Sequence, residues 1–355
     1  MSVFFIAEAG VNHNGDKDMA FALIDAAVAA GADAVKFQTF NAEALASQSA
    51  PKAAYQNKTT DAAESQLDML KRLELPYDWH VELRDYCSKN GIVFLSTPFD
   101  SKSLQFLADD LGLEIIKVPS GEITNGPFLL QIAETGCDII LSTGMSSLDE
   151  VRDALGVLAF GLTGGRTAPS PQAFAEAFAA PAGQAALADK VTVLQCTSAY
   201  PTPAGEANIK AMITMRDAFG LRTGFSDHTA GQVASLCAAA LGASVIEKHF
   251  TLDRELPGPD HKASLEPDEL TALISGVREI DLMLGDGIKI PQPSEIETAA
   301  VARKSLVALQ LIKAGETLSA RNIGVKRPGT GLSPMQYWDR LGKPAPRDLA
   351  KDDPL

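Results

Sequence analysis

One unit recurs along this chain: a short β-branched, apolar run, a polar turn, and an amphipathic stretch that stops at glycine. The runs are Val3–Ala9, Ala34–Thr39, Ile92–Thr97, Ile115–Pro119, Ile139–Thr143, Val191–Cys196, Thr223–His228 and Val245–Phe250. Helical stretches lie between and after them, among them Met19–Ala30, Tyr77–Asn90, Lys102–Asp110, Leu148–Phe160 and Pro267–Leu284. Gly31, Gly91, Gly112, Gly136, Gly161, Gly220, Gly242 and Gly285 are placed to cap them, because glycine takes the left-handed conformation without a Cβ penalty. Eight βα units in succession predict a (β/α)8 TIM barrel over residues 1–285.

Two insertions break the rhythm. The polar stretch Asn41–Leu75 follows the second strand and is expected on the face where barrel chemistry occurs; Gly161–Lys190 follows a helix and is expected on the opposite face. After Gly285 the pattern ends. Residues 286–300, with Ile-Pro-Gln-Pro, read as a linker, and 301–355 as a small β-rich domain near the lower size limit for an independent core.

The 355 residues carry a net charge of −14 without any long Lys/Arg run, which disfavours a nucleic-acid surface. No apolar run reaches membrane-spanning length, and the N-terminus lacks the basic flank of a signal peptide. Cys87, Cys137, Cys196 and Cys237 have neither metal-type nor disulfide-framework spacing, so a reducing cytoplasm is expected.

Polar residues concentrate at the strand C-termini, where barrel enzymes keep their working groups. Lys36 with Gln38, Ser226 with His228, and Glu247 with His249 are i, i+2 pairs that face one side of a strand. His228 and His249 end consecutive strands and could reach one metal ion, leaving positions open for water and substrate; each could instead be a hydrogen-bonded barrel residue. His13, in the first loop, reads equally as a ligand-side residue or as turn chemistry. Lys36 and Lys117 lie inside apolar runs, where an ammonium is costly without an anion. A Schiff base, a phosphate or carboxylate ligand, or a pairing with Glu8, Glu122 or Glu247 would each account for them; the hydroxyls of Ser120, Ser142, Thr143, Ser198 and Ser226 favour a phosphate.

The segments AEAGVNHNG, VKFQT, KVPSGE, LSTGM, FSDHT, EKHF and GPDHKAS occur in an order that resembles the sialic acid synthase family, and VKRPGTGLSP resembles the antifreeze-like (β-clip type) domain of those enzymes. The resemblance covers about residues 3 to 345. It implies condensation of phosphoenolpyruvate with an N-acylated amino sugar of the mannosamine type, releasing phosphate by C–O cleavage. N-acetylneuraminate synthase is the first expectation, with a legionaminate or pseudaminate synthase using a 2,4-diacetamido-6-deoxy sugar as the alternative and a Schiff-base barrel aldolase more distant. It also implies a divalent metal, Mn²⁺ before Mg²⁺, and a homodimer with swapped C-terminal domains.

Transferred to this chain, the resemblance puts the metal on His228 and His249 and phosphoenolpyruvate on Lys36, Lys117, Ser120, Ser198 and Ser226. Gln38, Tyr200 and Asp260 fall to the sugar, and Arg327 would contact its N-acyl group from the partner subunit. Glu8, Glu247 and Lys36 are the catalytic candidates, with either carboxylate able to manage the water proton. The family carries Asn within Cys-Thr-Asn-x-Tyr-Pro where this chain has Ser198 in CTSAYP.

Overall fold

The computed structural model describes residues 2–52, 56–61, 64–165 and 167–355, with residues 58 and 59 described by backbone alone. It falls into two compact units, Met1–Gly285 and Asp286–Leu355.

The first unit holds eight parallel strands: β1 (Phe4–Gly10), β2 (Ala34–Thr39), β3 (Val93–Pro98), β4 (Ile115–Val118), β5 (Asp138–Ser142), β6 (Val191–Cys196), β7 (Arg222–Asp227) and β8 (Val245–His249). Their order is β3-β2-β1-β8-β7-β6-β5-β4, the sequential ring of a TIM-type barrel with helices outside. β1 pairs on both sides, Glu8 opposite Lys36 of β2 and opposite His249 of β8. Among the described residues no ladder joins β3 to β4, so the hydrogen-bonded ring has a seam there.

Strand registers explain why the chain folds this way. Ile6, Ala34, Leu95, Ile140, Leu194 and Val245 point inward and plug the barrel, whereas Phe5, Val35, Phe37, Ile116, Leu141 and Ile246 point out and bury the helices. The expected strands are all present, displaced by at most one residue at either end.

Seven of the eight capping glycines have positive φ, as a left-handed cap requires. Gly161 does not. It lies inside the helix Leu148–Leu162, where an added Cβ would meet Ala133 Cβ at 2.5 Å, so it permits close approach to the helix Gly126–Glu134 instead of ending its own. The stretch expected as one helix at 102–110 is an α-helix over Ser101–Gln105 that widens into a π-turn over Phe106–Asp110.

The excursion after β2 folds into short helices at Ala42–Leu45, Gln56–Thr59 and Gln66–Leu73. The other insertion forms helices Pro171–Ala179 and Pro181–Lys190, the second leading straight into the N-terminus of β6.

In the second unit an antiparallel pair, β9 (Ser305–Ala308) and β10 (Ile323–Lys326), packs Ala308, Ile312, Leu318, Ile323, Ala345 and Leu349 into a small core. A helix at Ile296–Ala302 begins within the stretch read as a linker; the 3₁₀ turn Pro293–Glu295 that leads into it is capped reciprocally by Gln292 and Glu295, a signal that the flanking prolines mask.

Candidate active site

At the C-terminal mouth of the barrel a cavity of about 320 Å³ is lined by residues from every strand except β6, whose following loop supplies Ser198 and Tyr200. Thirteen of the residues singled out from the sequence line it, namely Glu8, Lys36, Gln38, Lys117, Ser120, Ser142, Ser198, Tyr200, Ser226, His228, Glu247, His249 and Asp260. Arg327 belongs to the second unit, where it is exposed just beyond β10.

Charge is concentrated at the floor. Lys36 Nζ lies 2.5 Å from Glu8 Oε2 and 3.5 Å from Glu247 Oε2, and Lys117 Nζ lies 3.3 Å from Glu247 Oε1. Lys36 also donates to Thr97 Oγ1 (3.0 Å), and Ser226 Oγ donates to Glu247 Oε1 (2.7 Å). All four ionisable groups are at least 96 % buried, so each charge is stabilised mainly by the others.

The two carboxylates respond differently to the same surroundings. Burial pushes the Glu8 carboxyl up to about 7 against the pull of Lys36, with the negative Glu247 adding to the rise. Burial would raise Glu247 too, but Lys117, Lys36 and the Ser226 hydroxyl outweigh it and hold that carboxyl well below the usual range. One stays an anion while the other sits near neutrality, a division suited to a charge anchor and a proton carrier. For Lys36, burial acts downward, yet Glu247 and Glu8 raise its pKa overall. A Schiff-base lysine needs the opposite.

His228 Nδ1 lies 2.8 Å from the carbonyl of Thr197, which can only accept; the proton therefore sits on Nδ1 and the Nε2 lone pair is left, 3.5 Å from Ser226 Oγ. Burial holds the His228 imidazole down at about 4, and burial with the neighbouring His228 holds His249 well below the usual imidazole range. Both rings are thus neutral near pH 7. Their centroids are 5.6 Å apart, and His249 Nδ1 is buried without a hydrogen-bond partner. This donor chemistry fits two ligands of one open metal position; no cluster of three or more His, Cys, Asp or Glu suited to a metal occurs among the described residues. Tyr200 packs over both rings, at 4.2 Å from His228 and 5.7 Å from His249.

A hydroxyl-lined corner lies beside Lys117. Ser120 Oγ accepts from the Gly144 amide (2.9 Å) and contacts Cys196 Sγ, and Ser142 Oγ is buried without a partner. Gly144 is required here: an added Cβ would collide with Ser198 Oγ and Ser120 Oγ. Asp260 has a carboxyl raised by burial to about 6.

His13 resolves as turn chemistry. Its Nδ1 accepts from the Gly15 amide at 3.0 Å, and it does not line the cavity.

Sequence reasoning missed a buried pair directly behind the histidines. Asp227 and Lys248 alternate with Ser226, His228, Glu247 and His249, so they face the helices; they pair at 3.0 Å, Lys248 with no solvent exposure. Asp227 accepts from Thr229 N, Thr229 Oγ1 and Ser235 Oγ, and Lys248 donates to the Thr229 carbonyl (2.5 Å). The alternation that marked the inward residues marked these as well. Also missed were cavity residues of the excursion, including Gln56, Gln66, Met69 and Leu70.

The sequence model of the NeuB family matches residues 23–289, and that of the SAF domain matches residues 303–355. An N,N'-diacetyllegionaminic acid synthase of Campylobacter jejuni is 49% identical over 348 residues, covering 98% of this chain and 97% of that protein. Its counterpart from Legionella pneumophila is 41% identical, covering 96% and 90%. Among solved structures, an N-acetylneuraminic acid (sialic acid) synthetase from Leptospira borgpetersenii, in complex with citrate, superposes with a TM-score of 0.67 at 33% identity, covering 84% of this chain and 90% of that one. These relatives reverse the order of the sequence expectation: the legionaminate alternative now stands ahead of N-acetylneuraminate.

Proposed function

The chain belongs to the NeuB family of nonulosonic acid synthases, and from that premise we propose that it condenses phosphoenolpyruvate with a 2,4-diacetamido-6-deoxy sugar and water, forming a legionaminic-type acid and phosphate. The observation that carries this reading is the pair of buried lysines converging on Glu247, beside a corner of serine hydroxyls. Two fixed cations and neutral donors suit a ligand with both carboxylate and phosphate.

In this reading Lys36 and Lys117 hold phosphoenolpyruvate, with Ser120, Ser198 and Ser226 completing its contacts. C3 of phosphoenolpyruvate attacks the open-chain aldehyde carbon, and a C–C bond forms as the aldehyde oxygen takes up a proton. Water then adds at C2, and the C2–O bond to phosphate breaks to leave the ketone. Glu247, held ionised, stabilises the positive charge that develops at C2. Glu8, with a pKa of about 7, takes the proton from the attacking water. Gln38, Tyr200 and Asp260 orient the sugar. A divalent cation on His228 and His249, Mn²⁺ before Mg²⁺, would supply Lewis-acid polarisation of the aldehyde. Arg327, from the partner subunit of a swapped homodimer, would close over the N-acyl group. No helix among the described residues is long and apolar enough to cross a membrane, in keeping with a cytoplasmic enzyme.

The test is phosphate release from phosphoenolpyruvate with a panel of sugars, before and after chelation. We expect release with the 2,4-diacetamido-6-deoxy sugar at a kcat/KM above that for N-acetylmannosamine or its 6-phosphate, and loss of release on chelation. A preference for N-acetylmannosamine would overturn the sugar assignment, and borohydride trapping of a pyruvate adduct would overturn the mechanism.

A further inference from the structure

The charged floor accounts for the donor and the aldehyde but not for the opposite wall of the cavity. That wall comes largely from the excursion after β2, whose Met69 and Leu73 join Val11 of the first loop and Phe40 in a buried apolar cluster separate from the barrel core. Leu45 and Leu70 pack on it half-buried and face the cavity.

Gln66, the first residue of the helix Gln66–Leu73, lines the same wall, and its Oε1 is buried without a hydrogen-bond partner. A buried amide oxygen without a donor costs about 1–3 kcal/mol, which a ligand N–H would remove. Among the described lining residues the only Lys or Arg side chains are Lys36 and Lys117, both held at the floor by Glu247.

A sugar reaching from the floor to this wall meets the apolar side chains of Leu45 and Leu70 and the unpartnered Gln66 Oε1. A hydroxyl at C6 would lose its hydrogen bonds against Leu45 and Leu70, and a 6-phosphate would find no counter-charge. A methyl group loses nothing. We propose that the helix Gln66–Leu73 is the specificity element of the site: Gln66 Oε1 accepts the N–H of the acylamino group at sugar C4, while Leu45 and Leu70 receive the C6 methyl.

The proposal rests on the sugar assignment above and is tested with a matched pair of substrates. One is the 2,4-diacetamido-6-deoxy sugar; the other is its 2-acetamido-6-deoxy analogue with a hydroxyl at C4. Wild type should favour the first by at least tenfold in kcat/KM, and Gln66→Leu should reduce that ratio to about two or less, whereas Gln66→Glu, which keeps an acceptor oxygen, retains most of it. A ratio unchanged in Gln66→Leu, or an equal loss on both sugars, overturns the proposal while leaving the sugar assignment standing. A wild-type ratio near one overturns it without any variant being needed. If wild type prefers N-acetylmannosamine to both, the sugar assignment fails and this inference with it.

Discussion

Replacing Lys248 by Met leaves its length and its apolar stem nearly intact but strands Asp227 as an unpaired anion 1 % exposed. Burial lowers the Lys248 pKa even though Asp227 stands at 3.0 Å, so taking this ammonium out of water costs more than the single contact returns. The pair is therefore costly to break and cheap to remove whole. Lys248→Met should destabilise the barrel by about 3–5 kcal/mol, since breaking one side of a buried ion pair leaves the other charge uncompensated. Asp227 still accepts from Thr229 and Ser235, which places the loss toward the lower end. Adding Asp227→Asn removes the stranded charge and keeps an oxygen for those donors. The double variant should recover much of the loss, with a coupling of about 1–3 kcal/mol. Urea unfolding of wild type, both single variants and the double variant, followed by far-ultraviolet circular dichroism, completes the cycle. The reasoning is refuted if Lys248→Met costs less than about 1 kcal/mol, or if the double variant is less stable than Lys248→Met alone.

Lys117→Ala should abolish phosphoenolpyruvate binding measured by calorimetry, whereas Arg327→Ala should raise KM for the sugar; if Arg327→Ala is kinetically silent with every sugar, the contribution from the partner subunit is wrong. Glu8→Gln should lower kcat by about 10²–10⁴ and remove an ionisation near pH 7 from the kcat/KM profile; an unchanged limb would exclude Glu8 as the proton carrier. The buried His13, His80 and His261 are each held down at about 4 by burial, so the unfolded chain binds protons that the folded one refuses as pH falls. Their stabilisation is complete above about 6.5 and lost on acidification toward 4, with about 2 kcal/mol lost at each of His13 and His80 by pH 5; urea midpoints at pH 7.5 and 5 should differ accordingly, and a flat profile would contradict the assignment.

The barrel was legible because its two periodicities are strong: β-branched runs at period two and glycine-closed helices at period 3.6. The charged floor was legible for the same reason, since Lys36, Ser226, His228, Glu247 and His249 share an inward parity. Parity says which side a residue faces but not what it touches, so the outward Asp227–Lys248 pair went unread although each residue stands between two of the inward ones in sequence. Gly161 misled because a glycine permits both a left-handed cap and a close helix crossing, and only the neighbouring Ala133 decides between them. The excursion was placed on the correct face, but its helices are too short for periodicity to reveal that Gln66 and Leu70 turn toward the cavity.

The seam between β3 and β4 falls between the two lysines: Lys36, bonded to Thr97 of β3, stands on one side and Lys117 of β4 on the other. What joins them is Glu247, reaching from β8 to both ammonium groups. An anion seated on both lysines would act as a second suture across the place where, among the described residues, the ring lacks backbone hydrogen bonds. Occupancy of the donor site would then register as slower amide exchange along 93–98 and 115–118, far beyond the atoms that the ligand itself touches.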